Sequence, residues 1–367
     1  MRSTAQKLRF ESVSLRNLRN IEALEIEPAA RLNVIVGDNG QGKTSLLEAL
    51  YLVATSRSFR AERLASVVRE GSEQSVVRAS VIEDGLRREQ RVVLGPRSRR
   101  VTLDQKPPAS LTSYATRTPM VVFHPADLEL VSGGASSRRR LLDRLLLFVD
   151  PPGADARNRY THALQARKRA LEERGPESRE LDALETVMAE AGARFAVGRN
   201  AAFEALAERL PRVLSHMASG ELSVLPRYLP GGVKDANDFA RALRDSRLRD
   251  LKRKAALFGP QRDELELLLD GRSARVHASQ GQQRLLTLSL KVAELECIRD
   301  ARGAHPVLLL DDVSSELDPK RTHAVYDFLR ATESQVFVTT TRSELFPAPG
   351  MDPSERADFR LSGGKLM

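Results

Sequence analysis

The sequence of 367 residues contains a single cysteine, Cys297, and no tryptophan. One cysteine cannot form an intramolecular disulfide or a cysteine-rich zinc site, which excludes a disulfide scaffold and a zinc finger. No run approaches 18 consecutive apolar residues, so no membrane span is predicted. Residues 1–13 lack the hydrophobic core of a signal peptide, and we therefore expect a cytoplasmic protein.

Aromatic residues are scarce and the charge is unbalanced. Five tyrosines and no tryptophan argue against binding of single-stranded nucleic acid by base stacking. Lysine and arginine number 58 against 49 aspartates and glutamates, which gives a net charge of +9. This excess favours a polyanionic partner, because counterion release drives such association. The six histidines lack the spacing of metal ligands. The apolar content of 41% suffices for a sizeable hydrophobic core.

The apolar pattern changes along the chain from strand-like alternation to helical spacing and back. Residues 32–36 are mostly apolar and largely β-branched and are bounded by Gly37, which predicts a buried strand. A helix is predicted over 44–55. From about 127 to 253 the spacing is helical, with little strand signal. The remaining predicted elements are strands within 76–104 and at 119–123, 264–269, 307–310 and 336–339, and helices at 128–149, 160–174, 179–210, 239–257, 281–299 and 321–330.

A glycine-rich segment follows the first buried strand. Residues 37–44 fit the pattern G-x-x-x-x-G-K-[ST]. Such a loop presents backbone N–H groups and a helix N-terminus to phosphates. Lys43 would reach the β- and γ-phosphates of ATP, and the Thr44 hydroxyl would bind Mg²⁺. The candidate nucleotide-binding residues are Gly37, Asp38, Asn39, Gly40, Gln41, Gly42, Lys43, Thr44 and Ser45.

Two acids end the apolar run at residues 308–310. Asp311 stands at the carboxyl end of the predicted strand, where it would hold Mg²⁺ directly or through water. Asp312 would polarise the attacking water. Many strands end in aspartate, but the P-loop earlier in the chain makes this pairing specific. We therefore predict Lys43, Asp311 and Asp312 as catalytic residues, with Thr44 and Asp311 as metal ligands.

The segment at 279–284 reads SQGQQR and opens a predicted helix 32 residues before Asp311. A hydroxyl and free N–H groups at a positive helix end suit a second phosphate-binding surface. A plain N-cap at Ser279 is the alternative. The position just upstream of the acidic strand favours the nucleotide-binding interpretation, with Ser279, Gly281 and Gln282 as contacts.

Two further glycine-containing segments superficially match the same signature. They lie at 132–134, far from the acidic strand, and at 361–364, after that strand near the C-terminal residue. We interpret both as glycine turns.

Together these motifs resemble the RecF family of bacterial recombinational repair proteins, which belongs to the SMC-like branch of the ABC ATPases. The resemblance runs nearly end to end and rests first on GDNGQGKTS, SQGQQR and LLLDDVSSELD. Further RecF-like segments are LRNLRN near the N-terminus, TSRSFR (55–60), FHPADLELVSGG with SRRRLLD (123–143), GPQRDELEL (259–267) and SQVFVTTT (334–341). The chain departs from the family's common His and Asp at Gln261 and Glu264, so no role is carried over for that segment.

The resemblance and the order of elements predict an α/β fold, an ABC-type P-loop ATPase head with a helical insertion lobe. Residues 1–125 and 256–367 are assigned to the head, and residues 126–255 to the lobe. ATP and Mg²⁺ are the implied cofactors. The resemblance also implies an ATP-dependent homodimer, in which each nucleotide lies between the P-loop of one subunit and the signature of the other.

Several finer roles follow from the resemblance alone. The segment 315–318 would form the D-loop at the dimer interface. One of Thr339, Thr340 and Thr341 would replace the switch histidine of ABC ATPases, and the sequence leaves open which one does so. The implied partners are double-stranded or gapped DNA, RecR, and the RecO and RecA pathway, in which the protein assists RecA loading and hydrolyses ATP slowly.

Candidate DNA contacts are less well located. A duplex backbone fits the composition better than single strands do. A charge run is most often a solvated face, and this remains the alternative for each cluster. The candidate arginines are Arg57, Arg60, Arg63, Arg97, Arg99, Arg100, Arg138, Arg139 and Arg140. His124, which precedes Pro125, is interpreted as structural.

Other ATPase classes fit less well. A transporter subunit is disfavoured because 236 residues separate Lys43 from Ser279 and include a basic helical insertion. A nuclease fused to such an ATPase would need more than the 55 residues after Asp312, and the insertion is too short for the arms of a long coiled-coil protein. A regulator that binds ATP with little or no hydrolysis stays open, because Asp312 replaces the commoner glutamate.

Overall fold

The computed structural model describes residues 8–312, 332–342, 344, 346 and 351–367. The chain divides into two compact units: Met1–Asp127 with Ile298–Met367, and Leu128–Cys297. Both ends of the chain thus build one unit around an insertion. By packing, residues 256–297 belong to the inserted unit, whereas the sequence assigns them to the ATPase head. The functional division at 125/126 and 255/256 stays a prediction.

The described residues form the following strands and helices. The strands are β1 (Leu8–Leu18), β2 (Ile21–Ile26), β3 (Leu32–Val36), β4 (Ser75–Glu83), β5 (Leu86–Leu94), β6 (Arg99–Leu103), β7 (Met120–Phe123), β8 (Val224–Leu229), β9 (Glu264–Leu269), β10 (Arg272–Ser273), β11 (Val307–Leu310), β12 (Val336–Thr340), β13 (Arg356–Ser362) and β14 (Lys365–Leu366). The helices are α1 (Lys43–Thr55), α2 (Leu111–Ala115), α3 (Glu129–Ser132), α4 (Ala135–Val149), α5 (Pro151–Arg174), α6 (Glu180–Met217), α7 (Ala236–Arg253), α8 (Ala274–His277) and α9 (Gln280–Arg302). The predicted helix at 321–330 lies outside the described residues.

A mostly parallel sheet carries the edge at which the predicted motifs meet. Within the described residues its order is β14-β13-β3-β12-β11-β7. Strand β3 pairs in parallel with β12 and β13, and β11 pairs in parallel with β12 and β7. In register, Val36 lies opposite Thr340, and Leu310 lies opposite Phe123. The segments after these strands, including the P-loop and Asp311, therefore lie at the carboxyl edge, where open parallel sheets bind ligands.

Helix α1 lies between this sheet and a second, antiparallel sheet. The second sheet has the order β2-β1-β4-β5-β6. Helix α1 contacts β4 and β5 of the antiparallel sheet and β7 and β12 of the parallel sheet. Along α1 only Thr44 and Thr55 are not buried. A helix that is buried on nearly all sides gives the P-loop before it a rigid base.

The inserted unit contains α3 to α8, most of α9, and the sheet β10-β9-β8. Two predictions are wrong here. Strand β8 lies in the stretch predicted as a helical insertion with little strand signal, and its Pro226 is accommodated because β8 is an edge strand. Helix α6 continues through Pro211 to Met217 instead of ending at Leu210, because burial of one face of the helix outweighs the lost backbone hydrogen bond.

Buried ion pairs connect the helices of the inserted unit. The guanidinium of Arg167 on α5 bonds Glu185 on α6 at 2.8 Å and Asp250 on α7 at 2.7 Å. Arg199 on α6 bonds Asp143 on α4 at 2.8 Å and Asp263 at 2.7 Å. These contacts fix the helices in one arrangement, since a buried charge without its partner is strongly unfavourable. Among the described helices, none combines the length and apolar character needed to span a bilayer.

Candidate ATP-binding site

The P-loop connects the end of β3 to the start of α1. Gly42, at the N-cap of α1, has a φ of 106°, a conformation that side chains with a Cβ rarely adopt. No side chain caps this helix end, and no acidic residue lies in its first turn. The helix dipole and the unpaired N–H groups are therefore left to attract an anion. Asp38, Asn39 and Gly40 at the tip of the loop are exposed.

The Lys43 ammonium folds back across the loop. Its Nζ donates to the carbonyl oxygens of Gly37 at 2.6 Å and Asp38 at 2.9 Å. Burial lowers the pKa of Lys43, and the negative charges of Asp312, Asp311 and Asp38 oppose this shift. The ammonium thus lies inside the curve of the loop, where a phosphate group would exchange charge-assisted hydrogen bonds for the two carbonyl contacts.

Asp311 follows β11 and contacts the P-loop helix directly. The Thr44 hydroxyl donates to Asp311 Oδ1 at 2.9 Å, and the Thr339 hydroxyl donates to the same oxygen at 2.9 Å. The structure therefore brings together the two predicted metal ligands, which lie 267 residues apart in sequence. A hydroxyl and a carboxylate are the hard oxygen ligands that suit Mg²⁺.

The carboxyl group of Asp311 is held in an unfavourable environment for its charge. Burial raises the pKa of Asp311, while hydrogen bonds from Thr339 and Thr44 and electrostatic interactions with Arg60 and His124 oppose the rise. His124 follows β7, the strand that pairs with β11. A divalent cation at this carboxyl would remove the electrostatic cost, so the site fits a metal ion.

Asp312 has a left-handed backbone with a φ of 52°, and its side chain is half-exposed. Its N–H donates to Thr339 Oγ1 at 2.9 Å. The Thr339 hydroxyl therefore touches both acids, whereas the Thr340 hydroxyl bonds the backbone of Arg342 and Thr341 is exposed. The predicted D-loop at 315–318 lies outside the described residues.

The signature segment forms the start of α9 in the inserted unit. Ser279 Oγ accepts from the N–H of Gln282 at 3.2 Å, and Gln282 Oε1 accepts from the N–H of Ser279 at 2.8 Å. This reciprocal pair is a capping box, so the capping alternative is realised in the isolated chain. Ser279 is exposed, and Gly281 and Gln282 are half-exposed. The same groups are therefore accessible to a ligand from solvent.

The arginine clusters separate into buried and exposed members. Arg138 is only 4% exposed and forms a bidentate pair with Glu264 at 2.9 and 3.0 Å, so its prediction as a DNA contact is wrong. Arg139 is half-buried and donates to the carbonyl of Asp263 at 2.9 Å. The exposed candidates are Arg57, Arg60, Arg63, Arg97, Arg99, Arg100 and Arg140.

The segment at 259–264 has a structural role in the inserted unit. Asp263 is 1% exposed and binds Arg199, the Tyr228 hydroxyl and the N–H of Gly231. Gln261, one of the family departures, donates to the carbonyl of Phe258 at 2.7 Å. Asp263 is thus the centre of a buried polar network that holds this segment in place.

Two features of the ATPase unit are not predicted by the sequence. Asn20, in the turn between β1 and β2, donates to the carbonyl of Gly40 at 3.1 Å and accepts from the Ser45 hydroxyl at 2.9 Å. The repeated LRNLRN segment marks this turn but gives no sign of its partner. The second feature is a surface groove on the antiparallel sheet.

The groove has a volume of about 750 Å³ and contains three arginines from adjacent strands, Arg16, Arg78 and Arg91. Arg78 lies directly opposite Arg91 across β4 and β5, an arrangement of like charges that is unfavourable without a counter-charge. Glu89 pairs with Arg78. Within the described residues, neither Arg16 nor Arg91 forms an ion pair. Only pairing of the strands reveals this cluster, because its members lie far apart in sequence.

The comparisons with known proteins cover nearly the whole chain. The model of the RecF/RecN/SMC N terminal domain matches residues 9–349. A DNA replication and repair protein RecF from Geobacter sulfurreducens is 37% identical over 369 residues, which cover 98% of this chain and 99% of that protein. The corresponding protein from Myxococcus xanthus is 39% identical over 373 residues, covering 98% and 97%.

Solved structures agree with these relatives. The recombination mediator protein RecF-ATPrS in the RecFOR pathway superposes with a TM-score of 0.88 at 28% identity, covering 99% of each chain. The Smc head domain of Pyrococcus furiosus superposes with a TM-score of 0.55 at 16% identity, covering 98% of this chain and 95% of that one, which shows a shared ATPase-head fold. This chain belongs to the RecF family of DNA replication and repair proteins.

Proposed function

We propose that this chain binds ATP and Mg²⁺, forms a homodimer on double-stranded or gapped DNA, hydrolyses ATP slowly and then releases the DNA. The observation that carries this proposal is the hydrogen bond of 2.9 Å between Thr44 and Asp311, beside the folded-back Lys43. Through this contact the P-loop, the two proposed metal ligands and the Lys43 ammonium lie together at one sheet edge. The solved relatives named RecF-ATPrS and RecF-ATP in the RecFOR pathway support ATP as the nucleotide.

The residues of the site have distinct proposed roles. The N–H groups of residues 37–45 and the Lys43 ammonium would hold the phosphates, and Thr44 and Asp311 would hold Mg²⁺. The metal would neutralise charge on the phosphates. Asp312 would orient the attacking water and accept its proton at the carboxylate. Thr339 would fix both acids through its single hydroxyl.

The signature residues would complete the site from a second copy of the chain. Ser279, Gly281 and Gln282 are accessible and offer a hydroxyl, a small backbone position and an amide at a helix N-terminus. Binding of the γ-phosphate by these groups would make dimerisation depend on the bound nucleotide. ATP binding and slow hydrolysis would then set how long the dimer stays on DNA, rather than drive movement along it.

The exposed arginines would contact the DNA backbone. The groove with Arg16, Arg78 and Arg91 would bind phosphates of duplex DNA, because guanidinium groups bind phosphates in bidentate fashion. By kinship with RecF proteins, the chain would act in the cytoplasm with RecR and RecO to assist RecA loading near single-strand gaps.

A second candidate function is an ATP-binding regulator with little or no hydrolysis. Asp312 favours it, because its carboxylate is one methylene shorter than that of the commoner glutamate. In that case ATP binding would still drive dimerisation, but turnover would be absent.

The test is ATP turnover and oligomeric mass over a series of protein concentrations, with and without duplex DNA and with Lys43→Met as the blank. We expect turnover to rise steeply with concentration and with DNA, and Lys43→Met to abolish ATP-dependent dimerisation. Dimerisation without turnover would select the regulator. Turnover that is independent of concentration and DNA, or dimerisation retained in Lys43→Met, would overturn the proposed mechanism.

A further inference from the structure

The C-terminal hairpin lies beside the strand that leads into the P-loop. Strand β13 pairs in parallel with β3, with Arg360 opposite Val36, the last residue before the loop. Leu361 is 2% exposed and belongs to the core around α1. The turn at Gly363 and Gly364 is therefore held in place next to the P-loop. The sequence predicts a glycine turn here and no further role.

Two backbone N–H groups of this turn bind a single P-loop residue. Gln41 Oε1 accepts from the N–H of Gly363 at 2.5 Å, and the carbonyl of Gln41 accepts from the N–H of Gly364 at 3.1 Å. A Cβ on Gly37 would lie 2.5 Å from the carbonyl oxygen of Leu361. The hairpin thus contacts the P-loop both at its first residue and at its centre.

Gly364 also closes the turn against the opposite support of the loop. It has a φ of 77°, and a Cβ there would lie 2.6 Å from the carbonyl oxygen of Asn20. The Asn20 side chain bridges the carbonyl of Gly40 and the Ser45 hydroxyl. Asn20 and the turn therefore form one continuous support under the P-loop, which we call the P-loop clasp (Asn20, Gln41, Gly363 and Gly364).

We propose that the P-loop clasp holds the loop in its phosphate-binding shape before nucleotide arrives, with Gly363, Gly364 and Gln41 as positioning residues. A loop that must be ordered on binding loses affinity by the entropy of ordering, and a preformed loop avoids that loss. The tip of this loop is exposed, so few other contacts restrain it. The effect on ATP rests on the proposed function, whereas the effect on the loop itself does not.

The structure offers closely matched variants. Gly364→Ala inserts a methyl group against Asn20, while Gly85→Ala alters another hairpin turn with a φ of 81° and no neighbour within 4 Å. Both carry the same backbone strain, and only the first disturbs the clasp. Gln41→Met fills a similar volume with a weak acceptor, while Gln41→Glu keeps a strong oxygen acceptor for the N–H of Gly363.

The experiment measures amide hydrogen exchange of the peptide covering 37–45 without nucleotide, and the Kd for a fluorescent ATP analogue. We expect faster exchange in this peptide for Gly364→Ala and Gln41→Met, with Kd raised about tenfold. Gly85→Ala should match the wild type. Gln41→Glu should keep the slow exchange, which a purely steric role of Gln41 does not predict.

The possible outcomes separate the two proposals. P-loop exchange in Gly364→Ala equal to that in Gly85→Ala overturns the clasp, and so does faster exchange spread evenly over the whole ATPase unit. A wild-type chain that binds no ATP analogue overturns the proposed function. In that event the exchange data still decide whether the clasp orders the loop.

Discussion

The hydroxyl of Thr339 donates a hydrogen bond of 2.9 Å to the carboxylate of Asp311, the acid that also accepts from Thr44. The same Thr339 oxygen accepts from the N–H of Asp312 at 2.9 Å. One side chain on β12 therefore fixes both acids that follow β11. Among the three threonines, these contacts favour Thr339 over Thr340 and Thr341 as the residue in the place of the switch histidine. This assignment remains a prediction.

Thr339→Val keeps the shape of the side chain and removes its hydroxyl. We expect ATP turnover or Mg²⁺ affinity to fall by about 10- to 100-fold, as for residues that orient metal ligands. Titration of turnover with Mg²⁺ measures both quantities. Thr340→Val is the matched control, because its equally buried hydroxyl bonds Arg342 instead. Equal activity of the two variants would contradict the assignment.

The raised pKa of Asp311 predicts a pH-dependent effect of Asp311→Asn in the absence of metal. Because the pKa of Asp311 is raised above its ordinary value of 3.8, the folded chain binds the carboxyl proton more tightly than the unfolded chain does. Stability from this group is therefore complete below pH 3.8 and is lost as pH rises through the raised pKa. The asparagine Oδ1 still accepts from Thr44 and Thr339 but carries no charge.

Thermal unfolding with a chelator present tests this expectation. Asp311→Asn should have a higher Tm than the wild type at pH 7, and the difference should shrink as the pH falls toward the raised pKa. A variant with a lower Tm at pH 7 would contradict the prediction, because it would show that interactions in the folded chain outweigh the cost of burying the Asp311 charge.

Arg167→Met should destabilise the inserted unit. The change removes Arg167 from the buried carboxylate of Asp250 and leaves Glu185 with Arg247 as its remaining partner, which costs about 3–5 kcal/mol. Denaturant unfolding measures the loss. The neighbouring Lys168→Met is the control, because its pair with Glu172 is exposed and worth at most about 0.5 kcal/mol. A loss below about 1 kcal/mol for Arg167→Met would contradict a stabilising role for this network.

The arginine groove can be tested by its salt dependence. The double variant Arg16→Gln with Arg91→Gln should weaken duplex binding and reduce the slope of log K against log salt by about 2, one unit for each lost phosphate contact. Filter binding or anisotropy over a salt series measures the slope. Lys168→Gln with Arg241→Gln removes the same charge from exposed helix positions. An equal loss in both double variants would show a net-charge effect only.

The nucleotide motifs could be predicted because each is local. A short apolar strand, a glycine-rich loop and an apolar helix are adjacent in sequence, and β11 ends at the acids as predicted. Contacts between distant segments could not be predicted. The pairs of Arg138 with Glu264 and of Asn20 with Gly40 depend on tertiary packing, which local patterns do not contain.

Proline explains the main errors in the fold. Pro226 and the short length of β8 conceal a strand that exists because β9 supplies its partner. From the sequence, Pro211 predicts that the helix ends at Leu210. Helix α6 nevertheless continues to Met217, because neighbouring helices pack against its buried face. The division by packing ends the inserted unit at Cys297 rather than at residue 255 because β9 pairs with β8 inside that unit, and the functional boundary at 255/256 stays a prediction.

Strand β3, which carries the P-loop, has β12 and β13 as its two neighbours in the sheet, and both come from residues beyond 335. During synthesis the P-loop segment leaves the ribosome roughly 300 residues before these neighbours exist. We therefore expect the nascent chain to lack a formed nucleotide site until the residues of β12 and β13 have been synthesised. Ribosome-bound chains that stop before residue 336 should not be retained on immobilised ATP, whereas the released full-length chain should be.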